Sequence, residues 1–136
     1  MAERNTVSRS GVIIAALVAA ATKIELGKIA CANAAGYAVE GSTSPSLTAL
    51  GLAQATVDNS AGANGAQTVE VKRGCFKFAN SATDAVTQAS VGKTVYIEDD
   101  ETVAKTDGAA GEDPATKSAA GKCLGVEADG VWVEIG

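Results

Sequence analysis

The sequence predicts an all-β fold: a small β-barrel or β-tulip-like domain of short hairpins behind an extended N-terminal arm. Three observations carry that expectation. Alternating apolar runs recur along the chain, among them Val69 and Val71, Phe76 and Phe78, Val95 and Ile97, and Val131, Val133 and Ile135. A period of two marks a strand with one buried face. Clusters of Gly, Asn, Asp and Ser punctuate these runs as turn signals. Finally, Gly-Lys pairs at 27–28, 92–93 and 121–122 each open a strand, turn, strand unit, the spacing of a small sandwich or barrel.

Taken in order, residues 1–11 are polar and without periodicity, so they read as an arm, slightly basic through Arg4 and Arg9 against Glu3. Residues 12–21, VIIAALVAAA, are ten apolar residues, too few for a hydrocarbon layer that takes about twenty. Basic residues ahead of them and small ones at their end imitate a secretory leader. The segment is ambiguous between a short helix, which its alanines favour, and a strand; Val12, Ile13 and Ile14 are β-branched and no convincing cap and charged first turn bracket a helix, so the balance falls to an extended segment feeding the first sheet. This divides the chain into an arm with first strand, 1–21, and a single β-rich domain, 22–136.

The next unit turns at residues 33–36, and a Ser/Thr/Pro loop at 41–46 leads to a strand around 47–57. Residues 57–80 then read as a hairpin with a long small-residue loop, returning through Val69 and Val71, interrupted at Gly74 and resumed at Phe76 and Phe78. Residues 81–90 have room for one helical turn after Asp84. Val95 and Ile97 rise to a turn at Asp99 and Asp100, and Thr102 and Val103 return. An acidic Gly/Ala-rich loop, 107–120, precedes a last hairpin turning at 128–130. Its final strand sets Val131, Val133 and Ile135 on one face and Trp132 and Glu134 on the other.

Composition bounds the function. Folding a chain of 136 residues hides roughly two-thirds of the surface its unfolded form exposes, enough for one domain. Hydrophobic residues make up 46%, but the aromatics are only Tyr37, Phe76, Phe78, Tyr96 and Trp132, and much of the remainder is alanine. Such a core is thin, so part of the stability is expected from oligomerisation or docking. A net charge of −5 with eleven scattered basic residues disfavours nucleic acid. Seven acids between Glu98 and Asp113 face Lys105 alone, so the body is acidic behind its basic arm. The three cysteines, Cys31, Cys75 and Cys123, show no pairing signal and read as reduced thiols packed as small hydrophobes.

Reaction chemistry has little to build on. Gly92-Lys93-Thr94 lacks the glycine a phosphate loop needs five positions earlier, where Thr87 stands, and a strand follows instead of a helix. Four contiguous acids at 98–101 alternate in direction on an extended hairpin and read as a solvated turn instead of a calcium loop. With no histidine there is no imidazole for a triad or a zinc set. The expectation is a protein that is not an enzyme and carries no cofactor or metal. Trp132 admits two readings, a core residue between packed layers or a contact anchor.

Five collinear stretches resemble the head decoration, or cement, proteins of tailed bacteriophages. They are Arg4-Asn5-Thr6 with Arg9 and Gly11; VAAATKIELGKIACANAAGYAVEG; LTALGLAQATVDNSAGANGAQTVEVKRGCFKFAN; VGKTVYIEDDETVAKTDG; and AAGKCLGVEADGVWVEIG. The apolar run at 12–21 is richer in alanine than such arms. The resemblance implies a non-enzymatic, β-rich virion protein on the outer surface of the capsid, made in the host cytoplasm. Its implied partners are the major capsid protein and itself, as a homotrimer at threefold or quasi-threefold points, with no nucleic acid or membrane. It further implies a capsid-binding arm at Arg4, Asn5, Thr6 and Arg9, and a subunit interface including Trp132 and Phe76. The alternative is a secreted or surface β-sandwich adhesion domain whose leader is cleaved near Ala21.

Overall fold

The computed structural model describes residues 3–6 and 11–136. These residues form twelve strands and one 3-10 turn, Gln88–Ser90. Five strands close a barrel in the order β10 (Thr102–Ala104), β8 (Gly74–Asn80), β12 (Gly130–Ile135), β11 (Ala119–Glu127) and β9 (Thr94–Ile97). All its neighbours pair antiparallel except β10 with β8. The period of two is what fills it. Phe78, Val95, Ile97, Val103, Cys123, Val131, Val133 and Ile135 turn inward and are buried, each large one contributing about 1.5–3 kcal/mol. A sheet closed on itself leaves no edge of unpaired backbone.

The second sheet is open, in the order β1 (Ile13–Leu17), β7 (Thr68–Lys72), β5 (Thr48–Ala53), β3 (Ile29–Ala32), β4 (Ala38–Glu40). Its register decides what each face meets. Ile14 and Ala16 lie opposite Val71 and Val69, and that face packs with Val18, Ile24, Ala30, Ala38 and Ala53 into a second core. Ile24 and Val57 reach it from a two-stranded sheet, β2 (Thr22–Ile24) and β6 (Val57–Asn59). On the other face, Ile29, Cys31 and Leu52 join the barrel core. Small residues make these close approaches feasible. Gly51 in β5 holds φ +152°, and a side chain there would run into the Lys72 carbonyl of β7.

Several expectations are met in detail. The chain is all-β, residues 13–17 are extended, and the hairpins β3/β4, β9/β10 and β11/β12 pair as read. Asn33 makes the first of those turns by accepting the Ala35 and Tyr37 N–H groups, each at 3.0 Å.

The hairpin predicted over residues 57–80 does not exist. β6 pairs with β2, while β7 pairs with β1 and β5. Beyond Arg73 the chain leaves the open sheet for the barrel as β8. Alternation reports that a strand has a buried face, but carries no information on which strand lies beside it. The single strand predicted around 47–57 is likewise two, β5 and β6, separated at 54–56.

Two smaller expectations also change. Cys31 and Cys123 are buried but Cys75 is exposed on the barrel wall, and burial pushes the Cys31 thiol up to about 12. The acidic turn is not merely solvated. Lys28 Nζ meets Glu101 at 2.8 Å and Asp100 at 3.5 Å, and the Ile29 N–H donates to the Asp100 carbonyl at 2.8 Å, which ties the barrel to β3.

Candidate interaction surface

β1 is the edge of the open sheet, and among the described residues β7 is its only strand neighbour. Its inward residues, Ile14 and Ala16, belong to the second core. Its outward residues are apolar as well: Ile13 and Leu17 are 48% and 49% exposed, with Ala15 exposed between them. They lie beside Lys72, Glu70 and Thr68 of β7, all exposed. An apolar edge strand left open is the feature that monomeric β proteins ordinarily blunt with charge, proline or a bulge. Here none of those devices interrupts residues 13–17.

Both ends of this strand are fastened. At its start, Arg73 holds the incoming chain: its Nε donates to the Gly11 carbonyl and its backbone N–H to the Val12 carbonyl, both at 2.7 Å. The cleft beside them is lined by Gly11, Val12, Arg73, Cys75, Glu134 and the C-terminal Gly136. At its end, the small-residue loop at 60–67 wraps residues 18–21. The Val18 N–H donates to Gln67 O at 2.9 Å, Gly65 N–H to Val18 O at 2.9 Å, and Ala21 N–H to Gly62 O at 3.2 Å. Buried Asn59 completes the clasp, its amide donating to the carbonyls of Ala19 at 2.9 Å and Ala63 at 3.0 Å.

The predicted arm residues Arg4, Asn5 and Thr6 are exposed and belong to no strand, and Arg9 lies outside the described residues. Trp132 and Phe76 separate. Trp132 stands on the outer barrel wall, 38% exposed, opposite Gly125, with its indole N–H donating to the Glu127 carboxylate. Leu124, 43% exposed, adds apolar surface to the same barrel, and the Lys77–Asp129 ion pair at 2.7 Å stands on the strand and turn that flank Trp132. Phe76 instead turns toward the interior, half-buried against the barrel core with its ring 6.3 Å from that of Phe78. Its pairing opposite Val133 sets it on the inward face.

The sequence reading missed the outward face of β1 and the clasp. A run apolar at every position, as at 12–21, carries a signal of its own: such a strand is covered on both faces or offers one for covering.

No group of three or more Cys, Asp or Glu among the described residues is placed to hold a metal ion. Nor is any helix among them long and apolar enough to cross a membrane. Compared with protein-family models, curated proteins and solved structures, the chain matches none.

Proposed function

We propose that this chain is a structural virion protein that binds the exterior of an assembled bacteriophage capsid. It bridges major capsid protein subunits and stabilises the shell, as homotrimers at threefold and quasi-threefold positions. The observation that carries this reading is the contrast between a barrel closed on itself and an edge strand of the open sheet, β1, apolar on its outward face. That strand follows directly on an arm containing Arg4 and Arg9. A strand edge offers a coat protein a row of backbone hydrogen-bonding groups, the apolar face contributes area, and the arginines select an acidic groove. The collinear resemblance to phage decoration proteins supports the same reading, and an alanine-rich core suits a protomer completed by its neighbours.

Binding of this kind gains strength through number. Each trimer touches several coat subunits at once, so shell expansion or rupture has to break those contacts together, with no single strong site required. The test is to mix purified protein with matched expanded phage shells, and to image them. Density at threefold and quasi-threefold positions is the expected result. Bare shells at saturating protein overturn the proposal.

A further inference from the structure

Of the five asparagines in the chain, Asn64 alone precedes a glycine. That pair has a chemistry of its own, because no side chain on the glycine hinders its nitrogen from attacking the neighbouring side-chain amide carbon. A bond forms between the Gly65 nitrogen and the Asn64 Cγ, and a five-membered succinimide closes. The bond from Cγ to the side-chain nitrogen breaks, and ammonia leaves carrying the proton that the Gly65 nitrogen gives up. Water then opens the ring at one of its two carbonyls, leaving aspartate or isoaspartate. No oxidant, metal or enzyme enters the balance.

Asn64 is exposed, so water reaches it. Yet the clasp holds both reacting groups. The Gly65 N–H donates to the Val18 carbonyl at 2.9 Å, with Gly65 at φ +78°, and the Asn64 side-chain oxygen accepts the Ala20 N–H at 2.7 Å. Attack requires the nitrogen to release its hydrogen-bonded proton and the side chain to swing off Ala20. Both bonds run to the same four residues, 18–21, that Asn59 and Gly62 also hold.

We propose that Asn64 is a self-modification site kept latent by its bonds to residues 18–21, converting when the 59–67 loop releases them. Conversion is one-way. Isoaspartate adds a carbon to the main chain, which displaces Gly65 from Val18, and either product adds a carboxylate. The modified chain therefore keeps a covalent record of opening at the base of β1. This inference does not depend on what the outward face of β1 binds.

The test compares the full chain, folded and in urea, at one mildly alkaline pH and temperature, followed by intact mass and peptide mapping. In urea Asn64 should convert ahead of Asn5, Asn33, Asn59 and Asn80. In the folded chain its conversion should be slower by about tenfold or more, because local opening has to come first. Asn59→Ala, which removes the amide that donates to Val18, Ala19 and Ala63, should move the folded-state rate toward the urea rate. Equal rates in the two states, or no lead for Asn64 in urea, overturn the proposal. The comparison of states requires no variant, so it decides the matter even where Asn59→Ala fails to fold.

Discussion

Asp84 shows how single polar side chains hold loops in a domain with a thin core. Its carboxylate accepts both the backbone N–H of Thr106 at 2.9 Å and the Thr106 hydroxyl at 2.6 Å, with Lys117 Nζ at 3.9 Å. The hydroxyl bond, chiefly, holds its pKa below the ordinary carboxylate value. A carboxyl depressed in the folded state contributes stability that is complete above its unfolded pKa and is lost as pH falls through the folded one. Urea midpoints measured from neutral pH into acid should therefore separate the unmodified chain from Asp84→Asn at neutral pH, with the gap closing in acid. A gap that stays constant across that range removes the charge from the explanation. Asn59 acts in the same manner without charge. Its buried amide donates to the carbonyls of Val18, Ala19 and Ala63, adding to the backbone N–H groups of Gly65 at Val18 and Ala66 at Ala63.

At the scale of elements, β1 buries one face in the second core and leaves an apolar face exposed. Leu17→Asp changes an outward, half-exposed residue, so it should cost folding stability no more than about 1–2 kcal/mol while lowering occupancy on expanded shells. Val69→Asp, on the buried face opposite Ala16, places an unpaired charge in the second core and should cost several kcal/mol by urea denaturation. Occupancy unchanged by Leu17→Asp takes the outward face out of the binding account. Element identity was largely legible in the sequence. The alternation at 131–135 reports burial residue by residue, and Asn33 with Gly36 marks its turn. Partnership was not. Val57, Val69 and Val71 read as one hairpin, yet Val57 lies beside Ile24 and Val71 beside Ile14. Those pairings join residues far apart in the chain, and local patterning does not encode them.

Across the whole molecule, two cores share one sheet. Ile29, Cys31 and Leu52 look toward the barrel, while Ala30, Ala53 and Val71 look toward β2 and β6. The barrel was legible through β8, β9 and β12, which alternate, whereas β10 buries Val103 and Ala104 in succession and β11 shifts register twice. The open sheet was less so, since its residues at 29–32 and 13–17 are apolar on both faces and give no period. Of the candidate surface, the sequence offered the arm, Trp132 and Phe76; Trp132 is exposed and Phe76 half-buried. The outward face of β1 was hidden within a run that imitates a leader. In the proposed assembly each molecule contributes modest contacts, and the shell sums them. The measurement that tests this most directly is the temperature at which expanded shells rupture, with and without saturating protein. The account predicts a higher rupture temperature for decorated shells; shells that carry the protein and rupture at the same temperature as bare ones would contradict it.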